Sequence, residues 1–238
     1  GGVLKQGPCP TGRGLVFWPF LDEVQSRLVW GAAGSEGLGR TRGYGETDGN
    51  SEDIPEGGIL GSMTEARFQT PRLLVRDWHL ADLPSILEIY GDREAMRFVD
   101  GGRPLDLAGV ETWFEVTNRN YAERGYGMFA IVERSSGLLV GCGGLVHPGG
   151  QVDAEVKYAF LRSRWNLGMA SEVVPALLRH AWERHGIVRV IATSDGAHAA
   201  SHRVLEKSGM IREGSKAEAD GRTTITHAIE FQQVMDQA

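Results

Sequence analysis

Hydrophobic positions along the 238-residue chain recur at regular spacings only from about Arg67 onward. The clearest period is Ala170, Val173, Val174, Leu177, Leu178 and Ala181, at i, i+3, i+4, i+7, i+8 and i+11, which predicts an amphipathic helix. Leu83, Ile86, Leu87 and Tyr90 predict another, with Asp82 as its N-cap and Pro84 in its first turn, where a missing N–H costs little. Val110, Trp113, Phe114, Thr117 and Tyr121 predict a third, started by Pro104 and Asp106. Between Val152 and Leu161 the period changes to two: Val152, Ala154, Val156, Tyr158 and Phe160 share one strand face, with Asp153, Glu155 and Lys157 on the other. Strands are also expected at Arg72–Arg76, Tyr126–Val132, Leu138–Leu145, Val188–Thr193 and Thr223–Phe231. A hairpin loop joins the second and third of these across Glu133–Gly137. A short helix is expected at Ala199–Ser208, ended by Gly209. The order β, α, α, β, β, β, α, β, α, β describes a mixed α/β or α+β domain.

Composition separates the first quarter of the chain from the rest. Of 33 glycines, 15 lie between Gly1 and Gly61, in a stretch too poor in periodic apolar residues to offset the entropy of ordering them. Residues 1–62 are therefore expected to be a disordered or non-native N-terminal extension, with one short helix conceivable over Phe17–Trp30, and 63–238 to be the folded domain, Met63 being its natural start. A net charge of −6 with no basic run argues against a nucleic-acid partner. Leu15–Leu21 is about a third of a membrane span and contains Pro19, so no membrane association is expected. Cys9 and Cys142 lie far apart, Cys142 in an apolar strand where it would pack as a small hydrophobe. The scattered histidines have no metal-ligand spacing. A cytoplasmic protein without a metal, monomeric or homodimeric, is the expectation.

The stretch that carries chemistry is Arg162-Ser163-Arg164-Trp165-Asn166-Leu167-Gly168-Met169-Ala170-Ser171-Glu172. A strand passes through a short loop into a helix, and the small residues Gly168 and Ala170 let a ligand approach the backbone. Free N–H groups and the positive dipole end of the helix suit an anion such as a pyrophosphate. Arg162 and Arg164 add positive charge. By itself the loop is better read as a place where Gly168 relieves crowding between helix and sheet.

The surrounding pattern resembles the GNAT superfamily, in particular the branch of ribosomal-protein alanine acetyltransferases (RimJ/RimL type). Trp165-Asn166-Leu167-Gly168-Met169-Ala170-Ser171-Glu172 is similar to that branch's pyrophosphate loop, Trp-Gly-Lys-Gly-Tyr-Ala-Thr-Glu. His198-Ala199-Ala200-Ser201 followed by Val204-Leu205-Glu206-Lys207-Ser208-Gly209-Met210 is similar to its Asn-x-x-Ser signature, and Thr70–Arg76, Tyr126–Val132 and Leu139–Leu145 to its first three strands. The resemblance covers essentially all of 67–231. It implies an α+β (α/β) GNAT fold: a mixed, mostly antiparallel central sheet with splayed strands, flanked by helices on both faces. Three departures stand out: Asn166 replaces the first loop glycine, Leu167 the usual basic residue and His198 the asparagine that helps hold pantetheine. Pro175, inside the third helix, is expected to kink it.

The resemblance further implies acetyl-CoA as cosubstrate and an amine acceptor, a protein N-terminus or a small molecule, attacking the thioester directly in a ternary complex. Phe160 and Leu161 would pair with pantetheine; Arg162, Trp165, Asn166, Leu167, Gly168, Met169, Ala170 and Ser171 would hold the pyrophosphate, with His198 and Ser201 beside the arm. Glu155 is the candidate base and Ser201 the candidate proton donor to the thiolate, against readings as a solvated strand residue and a helix cap. Tyr121, Tyr126 and Tyr158 are alternative donors, Tyr158 fitting better as core. The competing function is a catalytically weak GNAT-fold module that holds acyl-CoA without turnover. The acceptor would be chosen by loops around Met96–Pro104 and Ala219–Thr226.

Overall fold

The computed structural model describes residues 66–99 and 102–232; the expected helix over Phe17–Trp30, Cys9 and Met63 lie outside them. The elements are β1 (Ala66–Gln69), β2 (Leu73–Arg76), α1 (Leu83–Gly91), α2 (Leu107–Arg124), β3 (Met128–Glu133), β4 (Leu139–Val146), β5 (Ala154–Phe160), α3 (Met169–His185), β6 (Arg189–Asp195), α4 (Ala199–Lys207), β7 (Ile211–Ala217) and β8 (Thr223–Glu230). The strands form one sheet in the order β1-β2-β3-β4-β5-β6-β8-β7. Every pairing is antiparallel except β5 with β6. This is the mixed sheet expected from the sequence, with two edge strands, β1 and β7, that the pattern did not reveal.

Strand alternation distributes the core over both faces. In β3, Phe129 and Ile131 point to the side covered by α3 and α4, where they meet Val173, Leu177 and Leu205. Met128 and Ala130 point to the side of α1 and α2, against Ile86, Tyr90, Val110 and Trp113. In β4 a Cβ on Gly144 would lie 1.9 Å from the Gly127 carbonyl oxygen, and one on Gly141 2.6 Å from the Ala159 carbonyl oxygen and the Phe160 ring, so the sheet closes here only over glycine. Asp106 caps α2 as expected, accepting from Gly109 N–H at 2.9 Å. Asp82 does not cap α1: its carboxylate turns back to the His79 N–H and to the Arg76 guanidinium. The strand expected from Val152 starts at Ala154, and Val152 is exposed. Helix α3 runs through Pro175 as one element.

The β5–β6 seam positions the site. Only Ala154↔Val190 and Glu155↔Ile191 are in register. Beyond them the Glu155 carboxylate occupies the place of the ladder: its Oε1 accepts the Thr193 N–H at 3.0 Å and the Thr193 hydroxyl, and it pairs with Lys157. From there the strands diverge, leaving an opening between the C-terminal halves of β5 and β6.

Candidate active site

The loop into α3 has the backbone form that its small residues suggest. Gly168 is left-handed (φ 75°), and so is Asn166 (φ 61°), the only non-glycine residue with positive φ among those described. Asparagine tolerates this region better than other side chains, so the departure at the first loop position keeps the turn. The Glu172 carboxylate ties the first turn of α3 to the β1–β2 turn: Oε1 accepts the Thr70 hydroxyl (2.6 Å) and the Arg72 N–H (2.8 Å), and Oε2 the Arg72 Nε (2.6 Å). Burial pushes this carboxyl up, but the bonds from Thr70 and Arg72 outweigh it and hold it below its usual range. Arg72 also donates from Nη1 to the Leu167 carbonyl at 3.0 Å. The two arginines expected to charge the loop face acids instead: Arg162 lies 3.5 Å from Asp92 and Arg164 3.5 Å from Glu133.

Leu161 N–H bonds to the Val140 carbonyl, so by the alternation of an antiparallel ladder Tyr158 and Phe160 turn their backbone groups toward the opening. There the Trp165 indole N–H donates to the Phe160 carbonyl at 2.9 Å. Met169 is buried while Ala170 and Ser171 sit in the first turn of α3, whose leading N–H groups have no intrahelical partner.

The opening is a cleft lined by Phe98 and Val99, by Val156, Lys157 and Tyr158 of β5, by Ala192–Asp195 of β6, by His198, Ser201 and Leu205, and by Arg222 and Thr224. Ser201 is buried and its hydroxyl is 2.9 Å from the Tyr158 hydroxyl. Burial pushes the Tyr158 phenol up to about 12 against the opposing bond from Ser201, so it is protonated at neutral pH. Tyr158 thus packs its ring on the core, as its strand face requires, while its hydroxyl reaches the cleft. Tyr121 and Tyr126 bond to the Met128 carbonyl and to His147 and do not line the cleft.

Glu155 is not on a solvated face: it is 2 % exposed, and Gln151 approaches its second oxygen at 3.4 Å. It meets the cleft through Thr193, whose hydroxyl also accepts from Lys157 Nζ at 3.0 Å. His198 stacks on Phe98 with ring centroids 4.5 Å apart, and Arg97 lies over Phe98 at 4.4 Å. Burial, then the neighbouring His202, lowers the His198 pKa, so the ring is neutral. Cys142 is fully buried, bonded to the Tyr90 hydroxyl at 3.0 Å, and burial pushes its thiol up to about 12. Phe98 and Arg222 fall in the two loops, Met96–Pro104 and Ala219–Thr226, expected to choose the acceptor; Thr193 and Arg72 were not singled out from the sequence, though Thr193 carried a signal as the first polar residue after an apolar strand.

A splayed parallel pair in a mixed sheet, with a left-handed turn into a helix beside it, is the arrangement expected from the resemblance to GNAT proteins. Residues 72–211 match the family model described as Acetyltransferase (GNAT) domain, and the chain belongs to that family. The match makes it an acetyltransferase. It is 28% identical over 145 residues, 61% of this chain and 82% of the other, to a Bacillus subtilis (strain 168) protein named "Uncharacterized N-acetyltransferase YnaD". The crystal structure of a GNAT-family acetyltransferase from Bacillus anthracis superposes with a TM-score of 0.57 at 25% identity, covering 68% of this chain and 96% of that one. The fold is also that of RimL, the ribosomal L7/L12 alpha-N-protein acetyltransferase solved in complex with coenzyme A: TM-score 0.60, 17% identity, 70% and 98% covered. Among the described residues no helix is long and apolar enough to cross a membrane, and no cluster of His, Cys, Asp and Glu could hold a metal ion.

Proposed function

We propose that the chain transfers acetyl from acetyl-CoA to a primary amine by direct attack in a ternary complex, in the manner of the RimJ/RimL-type branch, with a protein N-terminus or a small-molecule amine as acceptor. The observation that carries this reading is the Ser201–Tyr158 hydroxyl pair, set in the opening between β5 and β6 where a thioester sulfur would lie. The pyrophosphate rests on the amides of the Asn166–Ser171 turn, and the pantetheine arm runs along the open backbone of Tyr158 and Phe160, with Trp165, Leu161 and His198 beside it.

The neutral amine attacks the thioester carbon, a C–N bond forms, and the oxyanion meets a β5 amide. The C–S bond then breaks, releasing coenzyme A as thiolate. The amine's proton passes to the Thr193 hydroxyl as that hydroxyl gives its own to Glu155. A thiolate has a conjugate-acid pKa of roughly 8.5, well below a phenol at about 12. Ser201 and Tyr158 therefore stabilise the sulfur by hydrogen bonding, and solvent completes the protonation. Turnover of this kind distinguishes the enzyme from a module that only holds acyl-CoA. The test is thiol release from acetyl-CoA against a panel of N-terminal peptides, amino sugars, polyamines and amino-acid derivatives. Acceptor-dependent release with saturation in both substrates supports the reading; a double-displacement pattern with an isolable acetyl-enzyme overturns it.

A further inference from the structure

The arginines that adjoin the loop in sequence, Arg162 and Arg164, are turned to Asp92 and Glu133, and Leu167 stands where the pyrophosphate-loop pattern that this stretch resembles has lysine. The guanidinium that does reach the loop comes from the other end of the domain. Arg72, in the β1–β2 turn, is separated from Glu172 by 100 positions, yet its Nε is 2.6 Å from the Glu172 carboxylate and its Nη1 3.0 Å from the Leu167 carbonyl. These two bonds fix the plane of the group. Its remaining nitrogen, Nη2, has no hydrogen-bond acceptor among the described residues and lies 3.6 Å from where a Cβ on Gly168 would stand. Apart from the chain neighbours of Gly168, no other heavy atom lies within 4 Å of that point. The side chain is half exposed, so an anion can reach it.

We propose that Arg72 is a cofactor-binding residue: its Nη2 edge supplies the positive charge absent from Leu167 and donates to the pyrophosphate of acetyl-CoA. The inference rests on the assignment of the Asn166–Ser171 turn to the pyrophosphate. Glu172 thereby acts as a positioning residue, holding the guanidinium toward the loop while the backbone N–H of Arg72 and the Thr70 hydroxyl keep the turn attached when the side chain is changed.

The test compares acetyl-CoA with S-acetyl-pantetheine, which lacks the pyrophosphate. Binding is measured by calorimetry in wild type, Arg72→Gln, Arg72→Gln with Leu167→Lys, and Gly168→Glu. Loss of one charge-assisted contact at a half-exposed site should lower the preference for acetyl-CoA over acetyl-pantetheine on the order of tenfold in Arg72→Gln. Leu167→Lys, which returns a cation to the loop from an exposed position, should recover most of it. A preference unchanged in Arg72→Gln overturns the inference. So does a loss that Leu167→Lys leaves untouched, because Arg72 would then act only by bracing the turn. If Gly168→Glu also leaves acetyl-CoA affinity intact, it is the loop assignment itself that has failed.

Discussion

Replacing Glu155 by glutamine separates the two roles that the seam assigns to this side chain. The substitution keeps an oxygen for the Thr193 N–H but removes the negative charge that faces Lys157. Breaking a buried ion pair from one side costs about 3–5 kcal/mol, and less where the stranded partner can reach water; Lys157 is 14% exposed, so a loss of roughly 1–3 kcal/mol in stability is expected. If Glu155 also receives the amine's proton through Thr193, kcat/KM at neutral pH should fall by about 10²–10⁴-fold. The two effects differ in their dependence on pH. An acceptor amine, whether an N-terminus with a pKa of about 7.7–8.0 or an alkylamine near 10.4, is mostly protonated at pH 7, so a base that takes its proton matters most there, and the gap between variant and wild type should close as pH rises past the acceptor's own pKa. Steady-state rates from pH 6 to 10, with melting temperatures in the same buffers, provide the measurement. A rate deficit that stays constant across pH while the melting temperature drops would mean that Glu155 acts only by propping the strands apart. Turnover near that of wild type at all pH values would remove it from the mechanism.

Gly168→Glu should abolish acetyl-CoA binding by placing a carboxylate at the loop, and should also lower stability by about 1–2 kcal/mol because Gly168 is left-handed; unchanged calorimetric affinity would refute the loop assignment. Ser201→Ala should lower kcat on the order of tenfold, as expected for one hydrogen bond to a charged sulfur. Adding Tyr158→Phe to it should cost less than Tyr158→Phe does alone, because the two hydroxyls act as a pair; strictly additive losses would show that they act separately. His180, held down to about 4 by burial and by the charges of His185 and Arg67, contributes stability that is present above its unfolded pKa near 6.5 and is lost as pH falls from there toward 4. His180→Phe, which fits beside Phe68 and Phe129, should reduce that acid-dependent loss by roughly 1–2 kcal/mol, the value being cut by solvent at a half-exposed ring. An unchanged slope in chemical denaturation between pH 6.5 and 4 would count against it.

What the sequence made legible follows from burial. Helix α3 and strands β3 to β5 bury one or both faces, and their periods carry the elements in order. Strand β7, Ile211–Ala217, is exposed at every residue, so no alternation marks it, and its pairing with β8 is the only thing that makes it a strand. The four residues of β1 are too few to show a period. Asp82 looked like a cap because acids at that spacing usually are, but a neighbouring Arg76 offered its carboxylate a stronger partner. In the site, the loop from Trp165 to Glu172 was readable because its small residues adjoin one another in sequence. Arg72 was not, because a contact across 95 to 100 positions leaves no local trace. Glu155 occupied the expected strand position, yet nothing in the alternation told that its face lies inside a seam rather than in solvent.

With the pantetheine arm placed as proposed, the seam would also make the donor a part of the architecture. Strands β1 to β5 and strands β6, β7 and β8 share a backbone ladder of two residue pairs, Ala154↔Val190 and Glu155↔Ile191, supplemented by the Glu155–Thr193 bonds and by α3 and α4 packed across one side. An amide-bearing arm laid along Tyr158 and Phe160 would add rungs where the protein has none and act as a surrogate strand. Because such a ligand binds the folded form alone, its binding free energy adds to that of folding, by about 2.7 kcal/mol at a concentration a hundredfold above Kd. Acetyl-CoA bound there would then stabilise the fold as well as supply the acetyl group.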